Sequence, residues 1–275
     1  MKSNLTALII AKNEEKMLQA CLETLSFCQN IIVLDTGSSD RTASIAEDYN
    51  CKVVSFAHES FAKLREKAQS LVETDWLFYV DADERITPAL AKEILLHIEK
   101  DDCQIMTIRR TNICYGSKLN FGNWQNDLVT RVFKNGNLKA WKGEIHESPI
   151  YEGQELQLKH ELIHLTHRST QDNLRKSAAW TIKEAMALEA ATVKKITLPL
   201  ILRKGMMEFY RRTFKHRGYK DGMPGLIEAL VQAINRMIVY IQVWELQQKP
   251  PIETRYEKID QEIKSLWKSE GKIEL

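Results

Sequence analysis

Short apolar runs alternate with amphipathic segments through the first hundred residues of the chain. Runs typical of buried strands cover 5–11, 31–34, 51–56 and 76–80, and the segments between them, such as 61–71, have the apolar spacing of helices. Strands that alternate with helices predict a doubly wound, mainly parallel sheet with helices on both faces.

The pattern changes after residue 104. Further strands are predicted at 104–109, 129–133 and 156–165, and a polar stretch with aromatic residues and glycines separates the first two. From residue 169 onward almost every segment has helical periodicity. We therefore predict an α/β domain over residues 1–168 and a helical region over residues 169–275.

Three carboxylates directly follow the apolar run at 76–80. They are Asp81, Asp83 and Glu84. Ligands of open α/β sheets bind where strands end, and residues two apart in an extended segment point to the same side. Asp81 and Asp83 could therefore share one divalent cation, which prefers oxygen ligands. The structural alternative is an acidic turn after a strand.

Polar residues also follow the first two strands. Asn13 is predicted to cap the next helix, whose positive end suits Glu14. Asp35 begins a turn that contains glycine and hydroxyl residues. It could contact a ligand at this sheet edge, or it could have the structural role of capping the turn. Arg65, on the predicted helix 61–71, could donate to a phosphate or could lie on a solvated helix face. Thr87 and Pro88 predict the start of a further helix.

The composition is that of an ordinary soluble globular protein. The 275 residues are 44% hydrophobic and 28% charged, and the net charge of +2 argues neither for nor against a nucleic-acid partner. Five scattered cysteines without a CxxC pair favour reduced thiols in a cytosolic setting over disulfides or a zinc site. The amino terminus leaves no room for a signal peptide, and no uncharged stretch is long enough for a convincing membrane span. We therefore expect a cytoplasmic protein.

Several motifs in this order resemble those of family 2 glycosyltransferases, which have the GT-A nucleotide-diphospho-sugar transferase fold. The resemblance covers about the first 165 residues and rests on Asn13-Glu14, Asp35, Gly37-Ser38, Asp40-Arg41-Thr42 and Asp81-Ala82-Asp83-Glu84. The subgroup that looks most similar is the lipopolysaccharide-core β-glucosyltransferases. Its further motifs correspond to Trp124, Asp127, Arg131, Phe133, His146-Glu147 and His164. Lys12 stands where many relatives have an aromatic residue, so the base contact and the nucleotide stay open.

The resemblance implies transfer of a sugar, with inversion, from a UDP-linked or other nucleotide-diphosphate donor to an acceptor hydroxyl of an envelope glycan. Asp81, Asp83 and His164 would then hold Mn²⁺ or Mg²⁺, and a histidine ligand favours Mn²⁺; a structural histidine is the alternative. Contacts with the nucleotide sugar would come from Lys12, Glu14, Asp35, Arg65, Asp81 and Ala82. Glu147 is the first candidate for the general base and Asp127 the second, although either could instead pair with an arginine.

The helical region combines basic and aromatic residues. Between Arg203 and Lys220, cations alternate with Phe209, Tyr210 and Phe214. This pattern is typical of peripheral contact with an anionic membrane, at the inner face of the cytoplasmic membrane if the acceptor is lipid-linked. Packing on the catalytic domain is the alternative, and no nucleic-acid motif accompanies the cations.

Two other functions remain open. A nucleotidyltransferase could use the same fold, but such enzymes have a basic, glycine-rich loop after the first strand, whereas residues 11–15 are acidic and lack glycine. A non-catalytic sugar-nucleotide-binding protein is the other, and the retained aspartates argue against it.

Overall fold

The computed structural model describes residues 3–58, 60–143, 148–191 and 194–269. The strands are β1 (Ser3–Ala11), β2 (Cys28–Asp35), β3 (Lys52–Ser55), β4 (Trp76–Tyr79), β5 (Glu84–Arg85), β6 (Ile105–Cys114), β7 (Ser117–Lys118), β8 (Leu128–Lys134), β9 (Leu138–Lys142), β10 (Ser148–Tyr151) and β11 (Glu155–Leu165). The α-helices are α1 (Leu18–Glu23), α2 (Thr42–Asp48), α3 (Phe61–Gln69), α4 (Pro88–Lys100), α5 (Thr170–Ala191), α6 (Leu198–Tyr210), α7 (Gly222–Leu246) and α8 (Ile252–Ser269).

One large sheet carries the fold. Its strands lie in the order β3-β2-β1-β4-β8-β6-β11-β5, and β7 pairs with β6. The first four strands are parallel, as predicted, whereas β8 runs antiparallel to both of its neighbours and β5 runs antiparallel to β11. Strands β9 and β10 form a separate hairpin. The predicted GT-A class, a mixed and mainly parallel α/β sheet followed by helices, is therefore confirmed.

The alternation of side chains in β4 explains why both faces of the sheet are covered. Trp76 and Phe78 pack with residues of α1, α2 and α4 on one face. Leu77 and Tyr79 point to the other face, where α3 contributes to the core. All four residues of β4 are buried, so the strand is held on both faces up to the carboxylates that follow it.

Two predicted helix caps have different outcomes. The Thr87 hydroxyl accepts a hydrogen bond from the Leu90 backbone N–H at 3.2 Å, and Pro88 lies in the first turn of α4, as predicted. The prediction for Asn13 is wrong, because α1 begins at Leu18 without a side-chain cap. Asn13 instead has a φ of 56° and its Oδ1 accepts from the Ser39 N–H at 2.8 Å, which ties the β1–α1 loop to the turn after β2.

The C-terminal helices pack through small residues. The buried face of α7 includes Gly225, Ala229 and Ala233, and a Cβ atom added to Gly205 of α6 would lie 2.5 Å from Met237 Cγ. Towards its C-terminal end α7 also buries larger residues such as Tyr240, whereas Leu230 and Ile241 are exposed. The stretch Gly218–Leu246 has the length and composition of a membrane-spanning helix, a test that core helices of soluble proteins also pass. The sequence analysis predicts no membrane-spanning stretch.

Candidate active site

A cavity of about 460 Å³ opens where β1, β2 and β4 end. Seven of the residues predicted for the site line it: Lys12, Glu14, Arg65, Asp81, Ala82, Asp83 and His164. A second cavity, of about 600 Å³, shares Arg65, Asp81 and Trp180 with the first. Two adjoining cavities at one sheet edge provide space for two substrates that react with each other.

Asp81 belongs to an ion network whose other members include the buried Arg131 and Glu84. Arg131 of β8 donates from one Nη2 both to Asp81 Oδ2 and to Glu84 Oε1, the latter at 2.9 Å. The Asp81 backbone N–H donates to Glu84 Oε2 at 2.9 Å, and Arg110 Nη1 lies 3.5 Å from Glu84 Oε1. This network fixes the turn that follows β4.

Burial and neighbouring charges oppose each other in this network. Burial by itself raises the pKa of Asp81, but the Arg131 and Arg65 guanidinium groups outweigh it and hold that pKa below its ordinary value. Burial is the larger effect at Glu84, where it raises the pKa against the attraction of Arg131. Asp81 therefore stays ionised beside Arg131. The sequence analysis places Arg131 in a family motif but predicts no role for it.

Asp83 faces a different pair of cationic groups. Its Oδ2 lies 3.5 Å from His164 Nε2 and 3.1 Å from Lys176 Nζ. Burial raises the pKa of Asp83, but the hydrogen bond and charge of His164 and the Lys176 ammonium outweigh that effect and place the pKa well below its usual range. Asp81 and Asp83 thus lie at one cavity but contact different cations, and a shared divalent ion stays a prediction.

His164 is oriented by a chain of hydrogen bonds. Its Nδ1 lies 2.6 Å from Asn112 Oδ1, and Asn112 Nδ2 donates to Asp127 Oδ2 at 2.8 Å. Since an amide oxygen can only accept, Nδ1 carries a proton, and the other ring nitrogen, Nε2, faces Asp83. Chains of this kind orient the histidine ligands of metal sites.

The donors at this position fit a divalent cation. Two ligand atoms that bind one small ion are about 3 to 3.5 Å apart, and the Asp83 Oδ2–His164 Nε2 distance of 3.5 Å lies in that range. Elsewhere in the described residues, Cys114, His167 and Glu228 also bring potential ligand atoms within 4.8 Å of one another. There the His167 Nδ1–Glu228 Oε2 contact of 3.0 Å links the end of the sheet to α7.

Glu14 is a partly buried carboxyl in the same cavity as Asp83. Burial, and secondarily the negative charge of Asp83, raise the pKa of Glu14 to about 7. Its backbone N–H donates to Thr42 Oγ1 at 2.8 Å. Glu14 is therefore partly protonated at neutral pH and can donate as well as accept a hydrogen bond.

Arg65 and Asp35 are both buried. The guanidinium of Arg65 lies 5.0 Å from the centre of the Tyr79 ring and 4.6 Å from that of Trp141, so the solvated-face alternative is wrong. The Asp35 carboxylate accepts from the Ser38 N–H at 3.2 Å, which is the turn-capping arrangement. Among the described residues of that turn, Thr36 lines the cavity.

The two candidates for the general base differ in what the structure describes. Asp127 accepts from Arg110 Nε at 2.8 Å and from Asn112, and these contacts lower its pKa although burial raises it. Glu147 lies in the segment 144–147, outside the described residues. The strands on either side of that segment contribute Trp141 and Ser148 to the second cavity.

Helix α5 supplies two residues that sequence reasoning missed. Lys176 and Trp180 line the first cavity, and Trp180 stacks on Phe61 with ring centres 5.9 Å apart. Their spacing of four places both on one face of a helix that begins five residues after β11. That spacing, directly after the strand that carries His164, was the available signal.

Comparisons with known proteins point to one family. The model described as Glycosyl transferase family 2 matches residues 6–169. The chain is 25% identical over 254 residues to the lipopolysaccharide core biosynthesis glycosyltransferase LpsC of Rhizobium meliloti (strain 1021), a match that covers 89% of this chain and 93% of LpsC. An uncharacterised glycosyltransferase of Rickettsia conorii is 32% identical over 95 residues, which make up 34% of each protein.

Solved structures show a more distant likeness. Glucosyl-3-phosphoglycerate synthase from Mycobacterium tuberculosis, in complex with Mn²⁺, uridine diphosphate and glucosyl-3-phosphoglycerate, is 18% identical with a TM-score of 0.35. The match covers 40% of this chain and 44% of that one. A likeness at this level transfers neither substrate nor metal to this chain.

Proposed function

Because the chain belongs to the family 2 glycosyltransferases, we propose that it transfers a sugar from a nucleotide-diphosphate donor to an acceptor hydroxyl in lipopolysaccharide core synthesis. The observation that carries this proposal is the cavity at the ends of β1, β2 and β4, where Asp83 and His164 converge. The named role of LpsC, whose match extends over nearly the whole chain, supports the choice of acceptor.

The donor would occupy the first cavity. Lys12, Arg65 and the Ala82 backbone would contact its phosphates and sugar, Asp35 its base, and the partly protonated Glu14 a sugar or ribose hydroxyl. A divalent cation, Mn²⁺ or Mg²⁺, held by Asp83 and His164 would offset the charge that develops on the diphosphate leaving group. Asp81 would contribute through Oδ1, since its other oxygen contacts Arg131.

The acceptor would occupy the second cavity. Its hydroxyl oxygen forms a bond to the anomeric carbon on the face opposite the diphosphate, while the bond from that carbon to the diphosphate oxygen breaks, which inverts the configuration. The hydroxyl proton passes to a carboxylate. We assign that step to Glu147, because Asp127 is held by Arg110 and Asn112 and its depressed pKa makes it a weaker base. Asp127 then positions His164 through Asn112.

We further propose that the C-terminal helices bind the inner face of the cytoplasmic membrane. Arg203, Lys215 and Arg217 are exposed, and so are the neighbouring large residues Met206 and Phe214. Cations beside exposed apolar side chains are typical of interfacial binding. A membrane-bound enzyme would lie close to a lipid-linked acceptor.

A panel of nucleotide sugars tests this function. Donor hydrolysis and thermal shift are measured for UDP-, GDP-, ADP- and CMP-linked sugars with Mn²⁺, with Mg²⁺ and with EDTA. We expect one donor to stabilise the protein and to be hydrolysed only with metal. Release of pyrophosphate from a nucleoside triphosphate and a sugar phosphate would favour a nucleotidyltransferase. Stabilisation that is accompanied neither by hydrolysis nor by transfer to lipopolysaccharide-core acceptors would favour a non-catalytic binding protein.

A further inference from the structure

Lys176 extends from α5 into the donor cavity and binds the carboxylate proposed to hold the cation. Its Nζ lies 3.1 Å from Asp83 Oδ2, and the same oxygen lies 3.5 Å from His164 Nε2. Lys176 and Asp83 are 93 positions apart in the chain. The ammonium therefore neutralises, from a separate part of the chain, an oxygen that a divalent cation would need.

An ammonium and a divalent cation compete for one carboxylate oxygen. Both are attracted to Asp83, but they repel each other strongly at such a short distance in a partly buried site, where water screens little. The Asp83 side chain is 16% exposed and that of Lys176 is 34% exposed. The lysine has four rotatable side-chain bonds and room in a cavity of about 460 Å³, so its ammonium can leave Asp83 without moving α5.

A displaced ammonium needs another anion. The described residues that line the cavity include Glu14, but burial raises its pKa to about 7, so its carboxylate is a weak substitute. A donor diphosphate would bring two phosphate groups into the same cavity, and phosphate oxygens bind lysine as a point charge. The chemistry of the cavity thus favours transfer of the ammonium from Asp83 to the donor.

We propose that Lys176 is a mobile countercharge, which binds Asp83 when the site holds no metal and binds the donor diphosphate when metal and nucleotide are present. This inference rests on the proposed function and assigns to α5, in the C-terminal region, a residue that positions the donor. It also makes release of Lys176 part of the cost of metal binding in the absence of nucleotide.

Two binding measurements on the Lys176→Met variant test the proposal. The first is binding of Mn²⁺ alone, followed by the electron paramagnetic resonance signal of the free ion. The second is calorimetric binding of the tightest of UDP, GDP, ADP and CDP at saturating Mn²⁺. Arg175→Met is the matched control, because it removes one positive charge from the adjacent exposed position of α5.

The proposal predicts changes of opposite sign. Loss of the competing ion pair should tighten Mn²⁺ binding by roughly 5-fold, whereas loss of the phosphate contact should weaken nucleotide binding by roughly 10-fold. Arg175→Met should change each affinity less than about 2-fold, because an exposed charge is screened.

Three results would overturn the proposal. Weaker Mn²⁺ binding by Lys176→Met would mean that the lysine holds Asp83 in place. Unchanged nucleotide affinity would mean that the ammonium does not reach the diphosphate. Equal effects of Lys176→Met and Arg175→Met would mean that the loss of one positive charge, and not the position of Lys176, explains the changes in affinity. In all three the unmutated protein still binds the nucleotide with Mn²⁺, whereas failure of that binding would overturn the proposed function itself, and this inference with it.

Discussion

The large apolar residues of strand β4 are buried, whereas many of those in the C-terminal helices are exposed. In β4 every side chain is at most 3% exposed, whereas Leu198, Met206 and Tyr210 of α6 are 66%, 65% and 64% exposed. Helix α7 buries small residues and three larger ones, Val239, Tyr240 and Val243, and leaves Leu230, Ile234 and Ile241 exposed. Periodicity therefore shows which residues share a face, but not what covers that face. Helices α1–α4 cover the apolar faces of the sheet. We propose that the membrane covers the exposed apolar residues of the C-terminal helices.

The largest expected effect is a loss of stability in the sheet domain when Arg131 is changed. In Arg131→Met, Asp81 loses the guanidinium that it contacts and the buried Glu84 keeps only Arg110, 3.5 Å away; removing one partner of a buried ion pair costs about 3–5 kcal/mol. Urea unfolding should show a loss of that size, while the folded variant binds vesicles as before. The exposed Arg109→Met is the control and should cost less than about 0.5 kcal/mol. A loss below about 1 kcal/mol in Arg131→Met would show that the network does not stabilise the fold.

Reversing the charge of exposed cations in the C-terminal helical region should weaken membrane binding. The exposed cations Arg203, Lys215 and Arg217 are changed together to glutamate. Each cation near an anionic surface contributes about 1 kcal/mol, so co-sedimentation with anionic vesicles should weaken by at least about 100-fold. Nucleotide binding should be unchanged. Arg211 and Arg212 are kept, because both pair with Glu208, at 2.6 and 2.7 Å.

The matched control for this experiment lies on the sheet domain. Changing the exposed residues Lys92, Lys100 and Lys159 to glutamate alters the net charge equally. This control should retain vesicle binding. If both triple variants lose it to the same extent, net charge alone explains the attachment. If unmutated protein binds neutral and anionic vesicles equally, or neither, the helices do not recognise an anionic membrane.

A change of the proposed base should act within the sheet domain alone. Glu147→Gln keeps the side-chain shape but cannot accept a proton, so the transfer rate should fall by roughly 100-fold or more. Donor binding and vesicle binding should persist. Asp127→Asn is the comparison, and we expect it to weaken metal binding through Asn112 and His164. If Asp127→Asn abolishes transfer with metal affinity intact while Glu147→Gln does not, the two roles are exchanged.

The smallest effect concerns the pH dependence of stability. Because the pKa of Glu14 is raised to about 7, the folded metal-free protein holds this proton more tightly than the unfolded chain does. Its contribution to stability is present below the ordinary glutamate pKa of about 4.3 and is lost as the pH rises through 7. Thermal unfolding should show Glu14→Gln gaining on the unmutated protein between pH 5 and 7.5, by at most about 3 kcal/mol before solvent screening. A difference that does not change with pH would contradict the raised pKa.

The strand ends were predictable from the sequence because a buried strand and the carboxylates after it are neighbours in the chain. The same holds for Thr87 and Pro88 at the start of α4. Arg131 was not predictable in its role, because it reaches Asp81 only through the antiparallel pairing of Phe78 with Val132. Lys176 reaches Asp83 through the docking of α5. Such contacts depend on long-range packing, which local periodicity does not encode. The boundary at residues 168 and 169 stays a prediction, and α5 contributes to the cavity from beyond it.

The most direct measurement compares nucleoside diphosphate binding to the unmutated protein and to Asp83→Asn by calorimetry, with Mn²⁺ and with EDTA. An amide cannot replace the anionic ligand, so the variant should lose the metal-dependent part of the affinity, roughly 100-fold or more. The variant should still fold, although it loses the charge that pairs with His164 and Lys176, and the exposed Asp48→Asn should bind like the unmutated protein. If Asp83→Asn keeps the same metal-dependent affinity, Asp83 does not hold the cation and the account of this site is wrong.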